Sequence, residues 1–455
     1  MNNEPRPTHF FTTSPFDDAP LKKYDFADSQ QVQDQLQTLH RSFDTWRQSP
    51  LAQRSALLKK WSQALKDHSA ELAQLVHSEM GKPLAEAKAE IIKSATACDY
   101  YSQHGPQFLQ SQKIDSDYAE SWVSYQPLGI VFILMPWNFP IWQVLRCAAP
   151  AIMAGNTVLL KPAEITAGSQ MLLTQILQEA SQPEPIFSAL LMDHTTAAQV
   201  IADRRVQGVS FTGSANGGRQ VAQLAGQNLK KSVLELGGSD PYIVLADADV
   251  AHAAKVCAQA RMVNNGQSCV AAKRFLLSHS IAESFIAAFL QQMQSYPQAP
   301  LAHKKFRDQL HQQVIRLQEA GGEILLGGQI PQGPGAFYPP TAIQFTDHPK
   351  ILQNEELFGP AAIVCVAPDD PTALAWANEC ELGLGGAVFT QQIEKIKSWA
   401  EINLQVGMVA INDSVKSDAR LPFGGVRHSG YGRELGPQGL LEFVNIKTVS
   451  VGKKI

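Results

Sequence analysis

The sequence predicts an α/β fold built on parallel sheets, and three observations lead there. Short apolar runs alternate with amphipathic helical stretches from about Trp122 onward. Before that point only helical periodicity is found. Glycine and proline cluster just after several of the apolar runs, where a parallel sheet places its ligand-facing loops. A chain of 455 residues exceeds one compact core, so two or three domains are expected.

Each element follows from local signals. Ser49 is an N-cap and Pro50 a first-turn proline for a helix with Leu57, Leu58, Trp61 and Leu65 on one face. Asp67 caps the next helix, which carries Leu72, Leu75 and Val76 and stops at Gly81. A third runs from about Pro83 towards Gly105, so the first hundred residues read as helical. In WVSYQPLGIVFIL, Pro127 separates two strand-like runs. Further runs lie at 157–161, 206–211, 233–236, 242–245, 275–277, 323–326, 362–366, 386–389 and 408–411. Helical patterns at 169–179, 250–262, 281–293 and 304–320 fall between them. The pattern divides into two α/β domains meeting near residue 236, with ligands expected beyond the carboxyl ends of strands.

Composition narrows the function. A net charge of −4 and a pI near 6.3 argue against nucleic acid or an anionic membrane as partner. The opening residues lack a basic segment followed by an apolar one, so they do not read as a secretory signal. The most apolar stretch, 128–135, is too short to span a bilayer. Six scattered cysteines without a CxxC pair read as a reduced, cytoplasmic chain with no structural zinc, and no metal is expected.

Four motifs bear on chemistry. Cys269, in NNGQSCVAAKR, sits in a small polar loop that suits a thiolate nucleophile; the alternative is a buried thiol. Glu235, in VLELGGSD, interrupts an apolar strand ahead of two glycines, either as a general base or as an edge-strand side chain facing solvent. Asn138 follows a strand in MPWNFP, between prolines, as an oxyanion donor or as the cap of the next helix. FTGSANGG, 211–218, has the strand–glycine turn–helix form of a phosphate cradle without being a GxGxxG, and is equally an ordinary glycine-rich loop.

Together PWNFP, KPAE, FTGS, ELGG, GQSC, EELFGP and PFGGVRHSGYGRE, in this order, resemble the NAD(P)-dependent aldehyde dehydrogenase superfamily over roughly residues 40–450. The resemblance implies that Cys269 is the nucleophile, Glu235 the base and Asn138 the oxyanion-holding amide. It assigns Lys161 and Glu164 to the adenosine ribose, Gly213 and Ser214 to the pyrophosphate turn, and Glu356 and Phe358 to the nicotinamide ribose. Pro136, Trp137, Gly218, Leu236 and Gly237 join the cofactor-binding set. It further implies an aldehyde substrate oxidised through a Cys269 thioester, with NAD preferred and NADP possible. By the same resemblance, 1–112 with 128–235 form a Rossmann-like cofactor domain and 236–436 an α/β catalytic domain. Residues 113–127 with 437–455 form a small β oligomerisation element, and a homodimer or tetramer is expected.

Among relatives, the compact bacterial succinate-semialdehyde dehydrogenases are the most similar. There an Arg and a Ser at the positions of Arg146 and Ser417 bind the substrate's distal carboxylate, a task to which a guanidinium fork is well matched. Two departures stand out. Val263 occupies the position of a second Arg, the nearest being Arg261, and LLMDHTTAAQ replaces a glycine-containing loop near Leu190. Glutarate semialdehyde or an uncharged aldehyde is the competing substrate. A CoA-acylating enzyme is disfavoured by Glu235, and a non-catalytic protein by the joint presence of Cys269, Glu235 and Asn138.

Overall fold

The structure, a computed structural model, describes residues 8–453. It opens with a feature the sequence reading missed, an antiparallel hairpin of His9–Thr13 and Pro20–Asp25. Its strands, HFFTT and PLKKYD, are short, mostly exposed and without alternation, which leaves little apolar signal. Four helices follow, Ser29–Trp46, Leu51–Asp67, Ser69–Met80 and Leu84–Phe108.

Two capping expectations shift. Ser49 Oγ donates to the Trp46 carbonyl of the preceding helix at 2.6 Å, and Pro50 itself occupies the cap position. Asp67 accepts from Gln63 within its own helix at 2.8 Å, while His68 occupies the next N-cap. In both cases the earlier helix claimed the side chain first. The first helix has the stronger device: Asp28 and Gln31 satisfy each other's backbone N–H groups in a reciprocal capping box. Gly81 ends the third helix with φ 76°, a conformation few residues with a Cβ adopt.

Beyond these helices lie two large sheets. In the first, the strands run in the order Gly430–Tyr431, Lys231–Glu235, Val206–Thr212, Ile130–Leu134, Thr157–Lys161, Phe187–Ala189, all parallel except the short Gly430–Tyr431 edge. Chain order therefore reverses between Ile130–Leu134 and Val206–Thr212. That switch point opens a crevice at their carboxyl ends. The loops carrying Asn138 and Gly213 both start there.

The second sheet is ordered Glu323–Leu326, Thr341–Phe345, Ala361–Ala367, Arg274–Ser278, Pro241–Val244, Gly385–Phe389, Met408–Ile411, with only the first strand antiparallel. Its central strands are buried, apart from the partly exposed Val366, because helices cover both faces. A third, smaller sheet pairs Val444–Val451 with Glu120–Pro127, and the latter with Gln112–Lys113. Among the described residues no helix is long and apolar enough to cross a membrane.

The first sheet's core joins Trp46, Leu58, Trp61, Ile91 and Tyr101 from the helices to Val131, Ile133, Val158 and Leu160 from the strands. Each such fully buried large side chain contributes about 1.5–3 kcal/mol. Leu84–Phe108 packs on both Leu51–Asp67 and the helix Trp142–Ala154, which follows the Asn138 loop. A small apolar cluster of Ala97, Trp142, Leu384, Phe423 and Leu435 lies against Cys269 and bridges residues of the two sheets' connections.

Candidate active site

Cys269 stands at the end of a loop with unusual backbone. Asn264 and Asn265 adopt left-handed conformations, φ 51° and 52°, and Gly266 follows at φ 74°. Asparagine tolerates that region better than most residues, so the NNG sequence reverses the chain between a helix end and the strand Arg274–Ser278. Buried donors then fix the loop. Arg261 donates to the Gly266 carbonyl at 2.6 Å, and Lys273 Nζ to the carbonyls of Ser268 and Cys269 at 3.0 and 2.6 Å. Gln267 Oε1 accepts the Ala302 N–H at 2.8 Å.

Asn138 belongs to the same network. Its Nδ2 donates to the Gln267 carbonyl at 3.0 Å, and its Oδ1 accepts from Gln143 at 2.9 Å. One of its two amide hydrogens remains for another acceptor. Asn264 reciprocates by donating to the Asn138 backbone carbonyl at 2.8 Å. Glu90 supports this loop from below: Oε1 accepts the N–H groups of Ile141 and Trp142 at 2.9 and 3.0 Å, and Oε2 pairs with buried Lys82.

The thiol faces a cavity of about 390 Å³, whose wall includes Glu90, Lys93, Arg146, Cys269, Ser417 and Phe423. Solvent reaches Cys269 through it, while the other five cysteines are buried. Close packing pushes the Cys269 thiol up to about 11, against the pull of Arg146 and Lys273. Glu235, at the end of Lys231–Glu235, is buried, and neither of its oxygens has a hydrogen-bond partner among the described residues. Burial, followed by the nearby Glu434 carboxylate, raises its proton affinity well above the usual range, with Arg146 opposing.

Arg146 is enclosed on the helix Trp142–Ala154. It is ion-paired with Glu434 and has the Phe423 ring 4.4 Å from its guanidinium carbon. Ser417 Oγ accepts from Lys93 at 2.7 Å and from Trp142 Nε1 at 3.1 Å. Val263 lines the cavity, whereas Arg261 is buried in the loop and does not.

None of the other expected residues lines that cavity. Ser214 caps the helix Ala215–Gln227, its Oγ accepting the Gly217 N–H at 3.2 Å. The Gly213 N–H donates to the Glu235 carbonyl at 3.0 Å, which joins the turn to the base. A Cβ at Gly213 would sit 2.6 Å from the Phe211 ring, so the turn must stay bare. A bare turn at a helix N-terminus fits a phosphate. Gly218 and Leu236 pack together behind it. Lys161 is buried and its ammonium lowered by burial, with Glu164 and Asp193 opposing; Glu164 is exposed. Asp193 caps the helix His194–Ala202 in the stretch that lacks a glycine loop.

Glu356 Oε1 accepts the Gly238 N–H at 3.0 Å and lies 3.6 Å from Lys273. A side chain at Gly237 would collide with the Glu356 carboxylate. Glu356 and Phe358 border a second, surface cavity of about 840 Å³. Trp137 stacks on Phe306 at 4.7 Å and meets Phe358 edge-on at 5.7 Å; Pro136 precedes it, half-buried.

Lys93, Lys273, Glu90 and Glu434 were not singled out from the sequence. Lys273 and Glu434 lie inside motifs already quoted, and a charge within a catalytic-looking loop was the available signal. Lys93 and Glu90 sit on a helix that reads as ordinary amphipathic packing.

A model of the aldehyde dehydrogenase family matches residues 3–449. The chain is 40% identical over 452 residues to succinate semialdehyde dehydrogenase Sad, NAD(P)+, of Escherichia coli (strain K12), covering 97% of this chain and 98% of that protein. It is 38% identical over 450 residues to an NADP(+) succinate-semialdehyde dehydrogenase of Deinococcus radiodurans, with coverage of 97% and 94%. A crystal structure of succinic semialdehyde dehydrogenase from Streptococcus pyogenes in complex with NADP+ superposes with a TM-score of 0.94 at 32% identity, covering 98% of this chain and 100% of that one.

Proposed function

Because the chain belongs to the aldehyde dehydrogenase family, we propose that it oxidises succinate semialdehyde to succinate with NAD(P). The observation that carries the substrate is the Cys269 cavity, which has Arg146 and Ser417 on its wall. Arg146 places a guanidinium on that wall, and Ser417 a hydroxyl in hydrogen-bond contact with the Lys93 ammonium. Both suit a distal carboxylate. The names of the similar bacterial enzymes support the same reading.

The chemistry rests on three residues. The Cys269 thiolate attacks the aldehyde carbon, and the free hydrogen of the Asn138 amide, with the Cys269 N–H, holds the oxygen as it becomes an oxyanion. The bound cofactor would be held along Gly213, Ser214, Lys161, Glu164, Glu356 and Phe358, and it supplies the hydride acceptor. Glu235, with its raised proton affinity and uncommitted oxygens, takes a proton from the water that cleaves the Cys269 thioester.

Glu164 favours NAD over NADP, since a carboxylate accepts from the ribose 2′-hydroxyl and repels a 2′-phosphate; Lys161 softens the preference. A higher kcat/KM with NADP, unmoved in Glu164→Ser, would overturn that choice. The first sheet is read as the cofactor unit and the second as the catalytic unit. Strands of 113–127 and 437–455 would join two subunits into a homodimer or tetramer, in the cytoplasm. The substrate is tested with a panel of succinate semialdehyde, glutarate semialdehyde and butanal, followed by NADH formation. The expected order places succinate semialdehyde first by at least about tenfold in kcat/KM. Equal or better use of butanal would refute the carboxylate reading.

A further inference from the structure

The wall of the Cys269 cavity carries three cations, and their commitments differ. Arg146 is paired with Glu434. Lys416 binds both oxygens of Asp413, at 3.0 and 3.2 Å. Lys93 Nζ touches only a hydroxyl and a ring: it donates to Ser417 Oγ at 2.7 Å and lies 4.3 Å from the Trp142 ring centroid. Among the described residues it forms no ion pair with a carboxylate, although Asp418 and Glu90 act on it from further off.

The acids nearby are already engaged. Glu86, Glu90 and Lys93 share one face of Leu84–Phe108 at helical spacing. Glu86 accepts the Asn264 N–H at 2.8 Å, and Glu90 is spent on Lys82 and two N–H groups. Asp418 forms its ion pair with Arg420. One uncommitted charge therefore remains on the wall, and it is positive.

Ser417 adds direction. Its oxygen accepts from both Lys93 and Trp142, which uses both lone pairs and leaves its own hydrogen to be donated. An ammonium and a hydroxyl hydrogen in contact, with no acceptor between them, form a donor pair suited to an anion. Cys269 and Lys93 line the same cavity, so the two ends of a short substrate can meet both.

We propose that Lys93 makes the direct ion pair with the substrate's distal carboxylate, shared with the Ser417 hydroxyl, while Arg146 stays paired with Glu434. This assignment rests on the reading that the substrate is a carboxylate-bearing aldehyde. The surrounding walls, and then Arg146, lower the Lys93 ammonium to about 8, a balance that a bound carboxylate reverses.

Lys93→Met keeps an unbranched side chain one heavy atom shorter and removes its charge. The quantity to measure is the ratio of kcat/KM for succinate semialdehyde to that for butanal, together with competitive inhibition by succinate. The expected result is a ratio lower by about 10- to 150-fold, carried mainly by KM, with succinate inhibition weakened in parallel. Lys93→Arg should restore most of both. An unchanged ratio in an enzyme whose wild type prefers succinate semialdehyde would overturn the Lys93 assignment and leave the substrate standing. Equal losses on the two aldehydes, with inhibition by succinate unaltered, would also overturn it in favour of a structural role. A wild type indifferent to the carboxylate would refute the substrate reading itself, and Lys93 with it.

Discussion

The Cys269 loop and the Gly213–Ser214 turn are built by different means. The loop is fixed by buried side-chain donors on nearly every carbonyl from Gly266 to Cys269, supplied by Arg261, Asn138 and Lys273. The turn is held by one backbone bond to Glu235 and one serine cap, and it is largely exposed. Chemistry that needs a thiol in one place is given rigidity. Binding a phosphate needs only backbone N–H groups and a helix terminus, so little side-chain support is required.

That contrast is open to test, beginning where disruption should be greatest. Cys269→Ala is expected to lower aldehyde oxidation by at least about 10³-fold while the circular dichroism spectrum stays native. Substantial residual turnover would mean that the loop's rigidity serves something other than a nucleophile. Glu235→Gln should give a burst of NADH near one equivalent per site, then a steady rate reduced about 10²-fold or more. A normal steady rate would remove Glu235 from the deacylation.

Lys273→Met would break the loop's principal tie and leave Glu356 without its cation. Lys273 is buried but Glu356 is 26% exposed, so the cost comes mainly from the two loop carbonyls left without a donor, about 1–3 kcal/mol each, and urea unfolding should show a measurable fall in stability. A stability near wild type would erase the distinction between loop and turn. The raised thiol has a pH signature. Since only the thiolate reacts, alkylation of Cys269 by iodoacetamide should climb about tenfold per pH unit above neutrality and level off only near 11. A plateau by pH 8 would show that the site already holds a thiolate. The smallest effect belongs to the turn: Ser214→Ala should cost about 1 kcal/mol of stability and change KM for the cofactor only a few-fold.

How far the sequence was readable follows the same division. Cys269, Glu235, Asn138 and Ser214 sit in short motifs whose function depends on their immediate neighbours, and their elements formed within a few residues of where periodicity put them. Six strands of the second sheet were legible because they are short apolar runs, whereas Thr341–Phe345, interrupted by Gln344, was not. Lys93 was not legible. Its role comes from Ser417, 324 positions away, and the helix between Leu84 and Phe108 gives no local sign of it. The hairpin His9–Thr13 and Pro20–Asp25 was lost because its strands are short and mostly solvent-facing. Ser49 and Asp67 were misassigned because capping residues have two helices to choose from, and the periodicity does not say which wins.

The strand that ends in Glu235 has a neighbour from far along the chain. Gly430 pairs with Glu235 and Tyr431 with Leu234, and the Ser429 carbonyl accepts the Leu236 N–H. Arg146 likewise meets its carboxylate only in Glu434. During synthesis at about 5–20 residues per second, Glu235 and its surroundings would wait roughly 10–40 s for these partners to leave the ribosome. Through that interval the first sheet has its parallel strands but an open edge at 231–235, exposed to mispairing until the late segments arrive.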